Sequence, residues 1–309
     1  MTVRRFQQLC IALLVATVLV IVWGAFVRVT GSGAGCADHW PLCNGELVPR
    51  APKLQTLIEF THRVTSGATG LLTLAVFFFA RRLFPAGSPV RRAALISLVL
   101  MILEGAIGAL LVKRGLVVKD ASAERAFVVG LHLCNTFLLL AAQVLTLHFA
   151  RDGVVPRWSS RALPLGLCFL VALCLGATGA ITGLGDTLFP AASLQEGFVQ
   201  DLSSSAHFLV RLRIYHPALA VLGGALIVYI AQYLRGLTSS QQVARWAWAL
   251  TGLYLLQLSV GALNLYLLAP APIQLTHLFL ADMVWLSLVM LAVHALAEEP
   301  QPSLASAAS

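Results

Sequence analysis

Four histidines, His62, His132, His216 and His277, each lie near the start of a long apolar run: the second, fourth, sixth and eighth of eight. An ionisable side chain is costly inside a bilayer and as a rule faces a functional cavity. Imidazole is a common axial ligand of porphyrin iron, so two pairs of buried imidazoles point to two haem-sized sites in one chain. Zinc is the rival metal for paired histidines. A catalytic zinc centre takes three protein ligands, and the second half offers no evident third.

Such side chains need helices to position them. Mean hydropathy is +0.85, 59% of the 309 residues are hydrophobic and 11% are charged, where a soluble chain carries about a quarter. Roughly 20 apolar residues cross a bilayer, and eight spans fit: 8–28, 57–80, 93–112, 126–149, 163–183, 206–234, 244–268 and 274–297. Each must be helical, because backbone polar groups find no water there. The small, polar residues after Glu298 read as a short disordered tail.

Orientation follows the basic residues of the loops. Eleven arginines (Arg4, Arg5, Arg81, Arg82, Arg91, Arg92, Arg151, Arg157, Arg161, Arg235 and Arg245) share the side of the termini. Seven residues (Arg28, Arg50, Lys53, Lys113, Arg114, Lys119 and Arg125) lie opposite. Both termini are therefore expected to be cytoplasmic, although the basic third loop pulls the other way. The net charge of +8 reads as membrane topology and contact with anionic lipid, not nucleic-acid binding. The first span lacks a small-residue cleavage site and is expected to be retained. With no Arg-rich, Ser-rich presequence, a bacterial plasma membrane is expected.

The two halves repeat. Gly24-Ala25 and Thr30-Gly31 of the first span match Gly176-Ala177 and Thr182-Gly183 of the fifth at a shift of 152 (176 − 24). Leu103-Glu104 and Gly108-Ala109-Leu110 match Leu256-Gln257 and Gly261-Ala262-Leu263 at 153. The histidines follow at 154 (216 − 62) and 145 (277 − 132). Four spans per half keep the repeats parallel, so all four histidines sit at one depth in the outer part of the bilayer. The expected fold is an all-α integral membrane protein, its eight transmembrane helices forming two tandem, pseudo-symmetric four-helix bundles, residues 1–155 and 156–309. Bundles build cofactor sites from facing side chains in the core. His39, His148, His207 and His294 have no repeat partner and read as structural or solvated.

Divergence between the halves separates roles. Glu59 stands one turn from His62, on the same helix face; its counterpart 154 residues on is Arg213. A carboxylate beside a porphyrin can act as acid, base or electrostatic partner, or simply pair with Arg63 or Arg28. A guanidinium at Arg213 or Arg211 suits a propionate; Arg211 can equally snorkel to a lipid headgroup. Glu104 reads as a helix–helix hydrogen bond before a proton path, and Asp282 has no interpretable equivalent. Gly31, Gly33 and Gly35 follow a helix, not a strand, and read as loop flexibility. Cys10, Cys134, Cys168 and Cys174 lie in spans as packed hydrophobes. Cys36 and Cys43 share the first outer loop, where an oxidising compartment favours a disulfide over two free thiols.

The run GAFVRVTGSGAGCADHWPLCNG, the EFTHR element and the histidines of spans four, six and eight together resemble the haem A synthases, over nearly the whole chain. The resemblance implies an eight-span enzyme that oxidises the C8 methyl of haem O to a formyl group for terminal oxidase biogenesis, through successive hydroxylations. It implies that His62 and His132 frame the iron of the substrate haem O, with Glu59 catalytic. His216 and His277 would ligate a resident haem b, and Cys36 and Cys43 would form the outer-loop disulfide of some members. Haem O synthase and oxidase assembly factors would be partners. Some relatives carry a second cysteine pair after span five; residues 185–205 have none here.

Two other functions share parts of this pattern. A bis-histidine, b-type electron-transfer cytochrome would use the four ligands but leaves the Glu59/Arg213 split without a purpose. A transporter of haem or another solute, built from parallel repeats, would interrupt its helices at the site; only Pro164 and Pro217 lie near span starts.

Overall fold

The computed structural model describes residues 1–297; the expected disordered tail lies outside the described residues. Among these the protein is all-helical: α1 (Val3–Val29), α2 (Leu54–Leu83), α3 (Pro89–Lys113), α4 (Ala123–Ala150), α5 (Ala162–Leu188), α6 (Leu194–Leu202), α7 (Phe208–Leu212), α8 (Tyr215–Gly236), α9 (Gln241–Tyr266) and α10 (Ala271–Ala297). Eight segments are long and apolar enough to cross a membrane, α7 and α8 together forming the sixth. The chain is a multi-pass membrane protein. Three of the spanning helices, α3, α4 and α9, start on serine caps: Ser88, Ser122 and Ser240 accept from the backbone N–H of Arg91, Arg125 and Val243. These caps satisfy donors that the first helical turn leaves free.

Two boundaries depart from the sequence reading. The fifth span runs on to Leu188, and the expected loop 185–205 contains α6. Within that extension the Arg28 guanidinium donates to the Gly183 carbonyl and to Thr187 Oγ1, so a cation from α1 ties down the last turn of α5. The sixth span breaks after Leu212. Pro217 has no N–H for the carbonyl of Arg213 and its ring crowds that position, so the helix restarts at Tyr215.

Helix neighbours close two rings. The first is α1, α2, α3 and α4, with α4 returning to α1; the second is α5, α8, α9 and α10, with α10 returning to α5. Between the rings, α1 meets α10 and α4 meets α5, while α4 also meets α10. Trp285 of α10 fills this seam. Its ring stacks on Phe137 and sits edge-on to Phe169, and its indole N–H donates to the Phe137 carbonyl. Large apolar side chains on the outer helices, such as Leu71, Ile102 and Leu222, are exposed, as lipid-facing surfaces must be. We call the side carrying Cys36 and Cys43 the loop face.

Candidate functional site

His62, His132 and His277 sit about two turns inside the loop-face ends of α2, α4 and α10, and His216 lies in the first turn of α8, just past the break in the sixth span. His62 and His132 belong to the first ring of helices, and His216 and His277 to the second. Three of the four imidazoles lie directly against a glycine. A methyl group placed on Gly24 would come within 2.9 Å of the His62 ring, one on Gly179 within 3.0 Å of His216, and one on Gly261 within 2.9 Å of His277. Each glycine lets a neighbouring helix approach the ring and fix its plane. Gly108, the repeat partner of Gly261, faces open space, so the His132 side of the first site is less tightly built.

These contacts revise the repeat register. Matching residue types paired Gly24 with Gly176, but Gly176 lies under Phe137 at the seam. The glycine against the second histidine is Gly179, a shift of 155 (179 − 24), close to the 154 that relates the histidines.

Hydrogen bonds decide which ring nitrogen is free. The Thr178 hydroxyl donates to the Cys174 carbonyl at 2.9 Å and lies 3.1 Å from His216 Nδ1. Its oxygen therefore accepts from Nδ1–H, which leaves the Nε2 lone pair for a metal. Glu104 Oε1 stands 3.3 Å from His132 Nδ1, within ion-pair distance of a protonated ring but without a formed hydrogen bond. Gln257, the repeat partner of Glu104, donates from Nε2 to His277 Nε2 at 3.2 Å. The buried Nδ1 atoms of His62, His132 and His277 have no hydrogen-bond partner. Four imidazoles, three of them cradled by glycine and His216 with its Nε2 left unengaged, fit a planar iron porphyrin held in each bundle, His277 exchanging its Gln257 contact for the metal. Glu104 also bridges α3 to α4 through Asn135 and Thr136, the helix–helix role expected of it.

Glu59 is 3% exposed and both its oxygens are engaged. Oε1 accepts from Arg63 Nε and Nη2 at 3.1 and 2.5 Å; Oε2 accepts from the Cys36 backbone N–H at 2.8 Å. Arg63 Nη1 in turn donates to the carbonyls of His39 and Leu42. Cys36 and Cys43 are joined by a disulfide and both are buried. One turn of α2 thus carries His62 inward and clamps the disulfide loop over it. Gly35 is part of the clamp: its carbonyl accepts from Thr56 Oγ1 at 2.8 Å, so it is a packed position, while Gly31 (φ +64°) supplies the turn after α1.

Arg213 does the equivalent job with the opposite charge. Its Nε donates to Asp201 of α6 at 3.0 Å, and Nη1 to Asp186 at 3.3 Å and to the Phe189 carbonyl at 3.0 Å. Its fork is committed to two carboxylates, while Arg211 is exposed. The two carboxylates come from sequence-distant segments, and nothing in the local pattern marked them. A second signal was present but missed. His148 and His294 are related by a shift of 146 (294 − 148), and their rings stack edge-on at 5.3 Å. His207 caps α7 through Nδ1 to the Leu209 N–H and stacks on Phe189. Asp282 is fully buried in α10, and neither oxygen has a hydrogen-bond partner.

Residues 7–289 match the COX15-CtaA family, described as cytochrome oxidase assembly protein. The chain is 47% identical over 282 residues to a protein of Thermus thermophilus named protoheme IX farnesyltransferase, covering 90% of this chain and 46% of that one. It is 34% identical over 142 residues to a heme A synthase of Geobacillus kaustophilus, covering 46% of this chain and 42% of the other. A heme A synthase of Alkalihalophilus pseudofirmus matches at 29% over 175 residues, 55% of this chain and 56% of that relative. The matches span about half the length of each of these relatives.

Proposed function

From the premise that this chain belongs to the COX15-CtaA family of cytochrome oxidase assembly proteins, we propose that it makes haem A, oxidising the C8 methyl of haem O to a formyl group. The observation that supports this reading is the seating of His62, His216 and His277 against Gly24, Gly179 and Gly261 inside two four-helix rings, with His132 in the first. Residues 1–155 are proposed to form the half that takes the substrate haem O, and residues 156–309 the half that keeps a haem b.

A difference in build supports this division of the two sites. His216 has its Nδ1 fixed by Thr178 and lies against Gly179, and His277 lies against Gly261; two seated rings suit a group that stays. His132 lacks a glycine seat, which suits a haem that must enter and leave. Haem b held by His216 and His277 would supply one-electron redox chemistry. His62 and His132 would orient the substrate. Glu59, on the loop-face side of His62, is proposed as the carboxylate that acts at the reacting edge, and the clamped disulfide loop as the cover that keeps bulk water out. Arg211, with its guanidinium exposed, is the readier propionate partner; Arg213 would have to exchange a carboxylate it already holds.

The Thermus relative adds a partner. More than half of that chain lies outside the match. We infer that the farnesyl transfer in its name belongs to the unmatched part. A protohaem farnesyltransferase, which would supply the farnesylated substrate, is therefore the proposed partner of this chain. The proposed setting is a bacterial plasma membrane with both termini on the cytoplasmic side, given the excess of arginine on that face.

The test is a visible spectrum of purified protein with its pigments extracted and separated. His216→Ala or His277→Ala is expected to abolish the resident low-spin haem b signal. Glu59→Ala is expected to keep that signal and yield no haem A. A normal haem b spectrum in both histidine variants would remove the ligand assignment, and undiminished haem A in the Glu59 variant would remove the catalytic one. Resident haem without any haem A in the wild type would favour the electron-transfer cytochrome.

A further inference from the structure

The two bundles differ below their histidines. On α2, polar residues recur at each turn from the first site inward: His62, Ser66, Thr69 and Thr73. Thr73 is 11 residues from His62 (73 − 62), and Gln143 is 11 from His132 (143 − 132). Both spacings return a side chain to the same helix face, about 16 Å deeper. Ser97 lies seven residues from Glu104 (104 − 97), again on the same face. Thr73 is 0%, Ser97 1% and Gln143 2% exposed.

The repeat supplies an internal control. At the shifts set by the histidines and by Glu104/Gln257, the equivalents of Thr73, Ser97, Gln143 and Thr146 are Ile227 (73 + 154), Leu250 (97 + 153), Leu288 and Leu291 (143 + 145 and 146 + 145). All four are buried together in the apolar core of the second bundle. In the second bundle the four positions share one core, and the first bundle carries polar groups at the matching positions.

The polar groups are not satisfied by protein. The amide nitrogen and oxygen of Gln143 and the hydroxyl of Ser97 have no hydrogen-bond partner, and neither has Asn135 Oδ1 one turn from His132. Thr73 and Thr146 donate to carbonyls of their own helices, which leaves their lone pairs free to accept. Buried polar groups are almost always bonded, to ordered water where protein offers nothing, and a buried water takes two to four such partners. Beneath this belt the bundle closes in an apolar plug that includes Leu13, Val76, Ala94 and Leu147.

We propose that Thr73, Ser97 and Gln143 bind a cluster of water beneath the first histidine pair, and that this water takes up protons released in the reacting pocket along the rungs Thr69, Ser66 and Asn135 and returns them by the same route, the apolar plug closing the way beneath. The second bundle, dry at the same positions, has no such route. The proton-carrying role rests on the first bundle being the reacting one; the water site does not.

The experiment is a structure of the wild-type protein in lipid nanodiscs at a resolution that shows ordered water, beside the variant Thr73→Ile/Ser97→Leu/Gln143→Leu, which installs the residues of the second bundle. Water density within hydrogen-bond reach of Gln143 and Ser97, and none at Leu288 and Leu250, is the expected result, with loss of that density in the variant. A dry pocket in which Gln143 bonds to protein groups would overturn the site. If haem conversion occurs, the variant should turn over several-fold more slowly with a changed solvent deuterium isotope effect and an unaltered resident haem spectrum. An unchanged rate and isotope effect would overturn the proton-carrying role. Should the triple variant not fold, Ser97→Ala and Gln143→Met separately serve the same comparison. Absence of conversion in the wild type would count against the proposed function alone, because the water map decides the site without it.

Discussion

A single added methyl group tests the histidine seats. Gly179→Ala and Gly261→Ala place a Cβ at 3.0 and 2.9 Å from the rings of His216 and His277, so each ring must shift. The expected outcome is a changed low-spin spectrum or weakened haem retention, measured by absorption during dilution or competition. Gly108→Ala meets nothing within 4 Å and should leave the spectrum as it was. Glu59 calls for a different measurement. Its side chain and that of Arg63 are 4% and 12% exposed, and removing one partner of a buried ion pair costs roughly 3–5 kcal/mol. Glu59→Ala should therefore loosen the clamped loop, read as faster reduction of the Cys36–Cys43 disulfide by a mild thiol. The placement of Glu59 one turn from His62 was legible in the sequence, because helix periodicity is local. Its binding of the Cys36 N–H was not, because that contact joins residues 23 apart through a loop with no period.

Among the elements, the sixth span shows how one residue shapes a region. Pro217 interrupts the helix, and the break leaves Arg213 at the C-cap of α7, where it gathers Asp186 from α5 and Asp201 from α6. Asp201→Ala would strip one carboxylate from a guanidinium that is 8% exposed. A loss of about 3–5 kcal/mol is expected, with α6 detaching first, seen as proteolytic cutting between Pro190 and His207. The seam helices α4 and α10 carry the largest consequence of a truncation. Trp285→Ala removes a fully buried ring that meets Phe137 and Phe169, a change that costs roughly 3–5 kcal/mol. Its check is the midpoint of thermal unfolding in detergent. That spans four and eight would be helices followed from hydropathy alone. That they would be the seam followed from nothing local, since an apolar face reads the same whether it meets lipid or another helix.

At the scale of the molecule, the two rings are held together by more than apolar packing. Arg28 leaves α1 and reaches Gly183, Thr187 and Gln274 of the other half. Residues 1–155 and 156–309, expressed as separate chains in one cell, should copurify, and Arg28→Ala should reduce the yield of the pair. Recovery of two independent, monomeric halves would refute that coupling. Asp282 has no hydrogen-bond partner in the structure, so Asp282→Leu should raise thermal stability by about 1–3 kcal/mol; a fall would reveal a partner for its carboxyl.

Eight apolar spans, and the place of His62, His132, His216 and His277 near the starts of the even-numbered ones, were determined by the sequence itself. A bilayer leaves the backbone no alternative to helices, and an even span count returns each repeat to its starting side. Tertiary structure alone decided which glycine seats which imidazole, which loop each of Glu59 and Arg213 clamps, and that Ser97 and Gln143 are buried without protein partners while Leu250 and Leu288 share the core of the other bundle. Those facts depend on the rotation and contact of one helix against another, which periodicity along a single helix does not encode.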